Sequence, residues 1–241
     1  MLDSILNLLF PVSCVLCGSQ VYERRWGAAC PACWSRLAPL ESPYCPQCGE
    51  PAPAIEGLCG PCRRGEHAFD FARSALLFND PLREIVHHLK YSDRVSLANP
   101  LGDILRVRLD SEPFEGEIIV PVPLHPSRER ERGYNQAELI ARRLGRPVAR
   151  RLVRRRKNTP SQTGLSRNER QRNLAGAFQV RPGVKLSGTV IVVDDVYTTG
   201  STIDEIARTL KRAGAKRVEV LTAARVARDV YARAMDTGVL A

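Results

Sequence analysis

The sequence predicts an α/β protein: a parallel sheet covered by helices, preceded by a small cysteine-rich module. Three observations carry this. All eight cysteines fall between Cys14 and Cys62, as four CxxC pairs. From Phe71 onward, short strand-like runs alternate with stretches of helical period, the pattern of a parallel sheet. Val190 to Val193 is an unbroken β-branched run, as expected of a strand buried on both faces. The chain therefore divides into 1–66 and 67–241. Its 241 residues suffice for a sizeable core, and 44% hydrophobic with 26% charged residues is ordinary for a soluble globular protein.

Met1 to Phe10 carries apolar residues at Leu2, Ile5, Leu6, Leu8 and Leu9 and stops at Pro11. It is too short to span a bilayer and has no basic leader, so no membrane span or signal peptide is expected. It reads as a short helix packed on its own protein, with a membrane or partner anchor as the alternative.

The cysteine pairs are Cys14/Cys17, Cys30/Cys33, Cys45/Cys48 and Cys59/Cys62, with 12 and 10 residues between the members of each successive couple. A CxxC turn aims two thiolates at one tetrahedral ion, and a hairpin gap returns the second pair. Two Cys₄ zinc ribbons in series follow, if the pairs combine in sequence order. Eight thiolates leave no open coordination position, so the sites read as structural. A disulfide framework would require an oxidising compartment, towards which nothing directs the chain; a cytoplasmic location is expected.

Arg73 to Phe78 reads as a strand. Asn79 and Asp80 before Pro81 are a helix start, and that helix runs to Tyr91. Leu97 to Leu109 is a second amphipathic helix, and Glu117 to Val122 a second strand. After it, His125 to Gln136 reads as a basic loop in which Arg128, Arg130 and Arg132 could hold pyrophosphate. The alternative is a solvated loop of alternating Arg and Glu. Tyr134 to Leu144 reads as a helix. Arg150 to Lys157 is the densest basic run, with Arg154, Arg155, Arg156 and Lys157 together, and Arg167, Arg170 and Arg172 follow on a short capped helix. Between Val120 and Ala175 there are 15 Lys/Arg against 4 Asp/Glu, a local +11 in a chain whose total is +10. Basicity this local suits phosphate or nucleic-acid binding. Aromatic content is 6% with little interleaving in the basic run, which argues against a base-stacking platform.

Val190 to Thr202 carries the chemistry. Asp194 and Asp195 end the strand with two carboxylates, at the carboxyl edge where open α/β sheets bind ligands. They suit ribose hydroxyls, or Mg²⁺ through its waters. Thr198, Thr199, Gly200, Ser201 and Thr202 form a small-residue turn into the helix Ile203 to Ala213. A helix N-terminus with free N–H groups, hydroxyl donors and a glycine is a phosphate site. The lysine of a P-loop is missing, GxGxxG is absent, and a receiver domain does not place a TTGST turn after its acids. Arg217 to Thr222 is the following strand.

VVDDVYTTGST resembles the phosphoribosyl-pyrophosphate (PRPP) motif of type I phosphoribosyltransferases. Taken with Leu9-Phe10-Pro11, the four CxxC pairs, VPVPLH, RGYNQ and QTGLSRNERQRN in that order, the chain resembles the ComF/GntX family. That resemblance implies a double zinc ribbon joined to a type I phosphoribosyltransferase-like domain. It implies that Asp194 and Asp195 hold the ribose and assist Mg²⁺ as the catalytic pair, and that Thr198 to Thr202 wrap the 5-phosphate. Arg128 and Arg132 would face the pyrophosphate, and 158–174 would be a mobile loop. It further implies partners: PRPP or a related ligand, single-stranded DNA and a competence helicase. VPVPLHPSR departs from the pyrophosphate loop of the enzymes, and no hood that reads a nucleobase is identifiable. Two functions follow: a PRPP-binding protein acting in DNA uptake or handling, or a transferase moving ribose 5-phosphate to a base.

Overall fold

In this computed structural model, which describes residues 12–52, 57–158 and 172–227, two cysteine ribbons come first. The first has a two-strand ladder, β1 (Val12–Ser13) against β2 (Gln20–Val21), and a one-turn helix α1 (Pro31–Trp34). The second ends in α2 (Gly60–Arg63). Both helices start inside a CxxC with a proline in their first turn, Pro31 in one and Pro61 in the other, and proline is pre-set for that turn.

The sheet then assembles in chain order. β3 (Phe71–Leu77) is followed by α3 (Asp80–Tyr91) and α4 (Ala98–Ser111). Asn79 caps α3 by accepting from Leu82 N, and its apolar stripe Leu82, Ile85, Val86 and Leu89 is buried. β4 (Ile118–Pro121) leads into α5 (Pro126–Arg132) and α6 (Gln136–Ala141). A small antiparallel pair, β5 (Val153–Arg155) with β6 (Phe178–Val180), precedes β7 (Thr189–Tyr197), α7 (Ser201–Arg212) and β8 (Arg217–Arg225). The sheet order is β3-β8-β7-β4, all parallel.

Both faces are covered, which is why β7 has no polar alternation in its first half. Ile191 and Val193 face a core with α3, α4, α6 and the first ribbon. Val190 and Val192 face another with α7, β6 and the second ribbon. The ribbons also close the free edge of β3. Leu40 N donates to Ala75 O at 2.9 Å, Leu77 N to Ala38 O at 2.8 Å, and Ala72 N to Gln47 O at 2.8 Å. An open edge strand is thereby paired rather than left as a template for other chains.

Four expectations need correction. β7 does not end at the acids but runs through them to Tyr197, and β8 continues to Arg225, because the two strands stay in register as far as Tyr197 opposite Arg225. The basic segment after Val122 is not a loop: Pro126 and the His125 cap, which accepts from Ser127 N, nucleate α5, and Gly133 at φ 79° ends it. The helix expected over Tyr134 to Leu144 is shorter, because Asn135 is its cap. The middle of the basic run Arg150 to Lys157, Val153 to Arg155, is strand β5. The N-terminal segment, most of the expected mobile loop, Arg167 and Arg170 lie outside the described residues.

Candidate functional site

The cysteines form two clusters in sequence order, Cys14/Cys17/Cys30/Cys33 and Cys45/Cys48/Cys59/Cys62. Sulfurs sit 3.7 Å apart for Cys17–Cys30, 3.7 Å for Cys45–Cys62 and 3.6 Å for Cys48–Cys59. Four sulfurs about 2.3 Å from one tetrahedral ion stand about 3.8 Å apart, so the cages fit zinc. The knuckles repeat: Cys30 N donates to Cys14 Sγ at 3.3 Å and Cys59 N to Cys45 Sγ at 3.4 Å. The thiols do not ionise alike. Hydrogen bonding to Ser19 lowers Cys17 to about 6, whereas burial pushes Cys33 up to about 12. Burial opposes ionisation of Cys45, but N–H donors from Cys48, Cys59 and Gln47 bring it to about 7; burial raises Cys48 to about 12. Only a metal makes all four thiolates of a cage favourable together.

The second centre lies at the carboxyl ends of β4 and β7. Asp194 Oδ1 accepts from Asp195 N at 2.9 Å, and Asp195 Oδ1 accepts from Val196 N at 2.7 Å. Asp195 is buried and meets Lys90 of α3, Nζ to Oδ2 at 2.6 Å. The two carboxylates split. Burial and the neighbouring Asp195 charge hold Asp194 well above the usual carboxylate range. Burial opposes ionisation of Asp195 as well, but the Lys90 ammonium and the Val196 N–H pull it below that range. The paired carboxylate raises Lys90 in turn, against its burial. One acid is thus neutralised by the protein, and the other is left to meet a cation or a hydroxyl.

Beyond the acids, Thr198 and Thr199 turn the chain, and Gly200 caps α7 at φ +78°, a left-handed conformation that glycine takes without strain. Thr199 and Ser201 hydroxyls are 3.0 Å apart. Ser201 and Thr202 stand in the first helical turn rather than in the preceding loop.

Of the arginines, Arg128 on α5 is half-buried and adjoins Arg155, which is buried at the end of β5. Burial and the Arg128 charge lower Arg155, while Asp194 supports its charge, so these three groups feel one another. Arg132 is directed elsewhere: it donates to Gln136 Oε1 at 2.5 Å and stacks over Tyr91. The RGYNQ segment proves architectural, since Tyr134 Oη donates to Leu89 O and Asn135 Nδ2 to Val122 O. Arg154, Arg156, Lys157 and Arg172 are exposed. Arg154 contacts Gln179 Oε1, and Lys157 donates to Ala175 O. Sequence reasoning missed Lys90 and assigned Arg155 to the surface run. The alternation of β5, Val153 and Arg155 inward with Arg154 outward, is the signal that separates Arg155 from its neighbours.

Comparison with known proteins agrees with this anatomy. Residues 5–63 match a double zinc ribbon domain, and residues 130–238 match a phosphoribosyl transferase domain. The chain is 35% identical over 222 residues to the DNA utilization protein YhgH of Escherichia coli O6:H1 strain CFT073, covering 88% of this chain and 96% of that one. It belongs to the ComF family.

Competence protein F of Haemophilus influenzae is 31% identical over 227 residues, covering 90% of this chain and 98% of that protein. Competence protein ComFC of Bacillus subtilis is 29% identical over 218 residues, covering 83% and 89%. Among solved structures, orotate phosphoribosyltransferase from Aeropyrum pernix aligns at a TM-score of 0.34 and 21% identity over 72% of this chain and 85% of that one. That likeness adds nothing to the family match. Within this ComF protein no helix of the described residues is long and apolar enough to cross a membrane.

Proposed function

We infer that the carboxyl ends of β4 and β7 bind a phosphoribosyl ligand, PRPP or ribose 5-phosphate, with Mg²⁺. The observation that carries this is the conjunction on one strand-loop-helix unit. An ionisable acid pair is followed by a glycine at φ +78° and a helix N-terminus rich in hydroxyls. Thr198 to Thr202 take the 5-phosphate. Asp194 takes the ribose hydroxyls and the hydration shell of the metal, and Arg128 and Arg155 are the cations nearest a pyrophosphate. Mg²⁺, when bound, offsets the charge of the pyrophosphate oxygens.

In the cell the reading follows the family: a cytoplasmic, zinc-stabilised protein acting in uptake or handling of single-stranded DNA, in company with a competence helicase. Reducing conditions there keep eight thiolates available to zinc. The exposed Arg154, Arg156, Lys157 and Arg172 supply cations for a phosphate backbone.

Turnover is the second reading, favoured by the split acid pair beside two arginines. An acceptor nitrogen would bond to the ribose C1, and the C1–O bond would break with pyrophosphate taking the electron pair. Site positioning and charge stabilisation are then the main catalytic terms.

The test is a thermal-unfolding titration with PRPP and Mg²⁺. Ligand at 100 times its dissociation constant adds about 2.7 kcal/mol. Asp194→Asn is the better single variant, because Asp195→Asn would also strand Lys90. A rise in midpoint for the wild type that is lost in Asp194→Asn supports the reading; no rise in the wild type refutes it. Pyrophosphate release across a panel of bases then separates binding from turnover.

A further inference from the structure

One buried polar chain takes no part in the ligand-facing groups above. It begins at the second ribbon and ends beneath Gly200. Arg225, the last residue of β8, has no exposed surface. Its Nε and Nη2 donate to Glu50 Oε2 at 2.9 and 2.7 Å, and its Nη1 donates to Cys48 O at 2.8 Å. Cys48 belongs to the second cysteine cage, and Glu50 follows it by two residues. The guanidinium carbon lies 4.0 Å from the centre of the Tyr197 ring. Tyr197 ends β7, is 2% exposed, and its hydroxyl has no hydrogen-bond partner among the described residues. That hydroxyl sits directly under the phosphate loop, since a Cβ built on Gly200 would come within 2.3 Å of it.

A second strut runs beside the first. Phe69 meets Tyr197 edge-on with ring centres 6.2 Å apart, and His67 stacks on Phe69 at 4.7 Å. Ala68 N donates to Asp204 Oδ1 at 2.8 Å, in the first turn of α7. The exit of the second ribbon therefore touches the loop from below and the helix from the side. The first ribbon packs in the core on the other face of the sheet.

We propose that the second ribbon is the seat of the phosphate loop. Arg225 and Tyr197 are positioning residues, through which the zinc-loaded Cys45–Cys62 ribbon holds residues 198–202 in their anion-binding shape. The proposal rests on the phosphoribosyl reading of that loop. The physical case is that a loop of small residues has few side-chain contacts of its own. The direction of its N–H groups is set by what it lies on, and displacements of about 1 Å cost up to about 100-fold at a positioned site. Arg225 joins three things that would otherwise move separately: the Cys48 knuckle, the end of β8 and the ring under Gly200. Because binding couplings are reciprocal, a ligand on the loop must in turn steady the zinc.

The experiment compares wild type, Arg225→Lys and Arg73→Lys. Arg73 is a buried arginine of β3, paired to Glu112 at 2.9 Å and lying over the rings of Tyr44 and Phe71 rather than Tyr197, so it controls for general destabilisation. Three quantities are read: the ribose 5-phosphate dissociation constant by calorimetry, hydrogen exchange of the amides of 198–202, and zinc release to a chromogenic chelator. Arg225→Lys is expected to weaken ribose 5-phosphate about tenfold and to speed exchange in the loop, while Arg73→Lys leaves both within about twofold of wild type. Ribose 5-phosphate is expected to slow release of one of the two zinc ions and not the other.

Wild-type affinity and exchange in Arg225→Lys would overturn the proposal, as would zinc release indifferent to the ligand. If wild type itself does not bind ribose 5-phosphate, the phosphoribosyl reading falls, and the exchange rates still decide whether the ribbon orders the loop. If Arg225→Lys does not fold, Glu50→Gln/Arg225→Met removes both charges together, and the same three readings on it decide.

Discussion

Replacing Lys90 with methionine tests the electrostatics of the acid pair. Lys90 Nζ is 2.6 Å from Asp195 Oδ2, with the two side chains 22% and 5% exposed. Removing one partner of a fully buried pair costs about 3–5 kcal/mol, because the other charge is stranded. Lys90 keeps a fifth of its surface in water, and the stranded Asp195 can take up a proton shared with Asp194. Both reduce the cost, to about 2 kcal/mol at pH 7. The sign with pH follows from Asp195, whose carboxyl is held below its ordinary range in the folded chain. Its contribution is present above the unfolded carboxylate value and is lost as pH falls through the lower folded one. The gap between wild type and Lys90→Met is therefore expected at neutral pH, shrinking on acidification below about pH 4. Urea unfolding with linear extrapolation at both pH values measures it. A difference under about 0.5 kcal/mol at pH 7, or one that does not change with pH, would refute the reasoning.

Gly200→Ala forces a side chain into a φ of +78° and into the Tyr197 hydroxyl, so it should cost at least about 1–2 kcal/mol in chemical unfolding and abolish ribose 5-phosphate binding. Ligand affinity for Mg²⁺-PRPP should rise with pH until Asp194, held well above the usual range, has lost its proton; a calorimetric pH series that is flat would contradict this. Chelation should remove zinc faster as pH falls, since protons compete for thiolates of which Cys17 and Cys45 ionise near about 6 and 7; the absorbance of a chromogenic chelator follows it. Arg155→Gln should weaken PRPP and spare single-stranded DNA, whereas Arg154→Gln/Arg156→Gln should do the reverse and flatten the salt dependence of a gel shift.

Much of this fold is legible in the sequence because its signals are local. CxxC spacing, β-branched runs and the Asn79-Asp80-Pro81 start each depend on a few neighbouring residues, and each stands where expected. The pairing order of the cysteines, assumed from spacing, is that of the cages. What was not legible is long-range. Lys90 reaches Asp195, and Arg225 reaches Glu50, across more than a hundred positions, and no local pattern announces either. The strand through the acids was underestimated because charged residues lower strand propensity. Pairing with β8 overrides that propensity as far as Tyr197.

The basic stretch shows why charge counting alone cannot place each residue. Arg154, Arg155 and Arg156 are identical in composition and adjacent in sequence, so net charge treats them as one patch. A strand has a period of two, and pairing with β6 imposes that period on them. Arg155 is consequently drawn in beside Arg128 and the acid pair, where burial and Arg128 oppose its charge and Asp194 supports it, while Arg154 and Arg156 face solvent. On the proposed function, the inner face of this run would meet a small phosphorylated ligand and the outer face a polyanion. Those two roles are separable by substituting alternate residues. The phosphoribosyl and nucleic-acid roles proposed above would then lie on opposite faces of one strand.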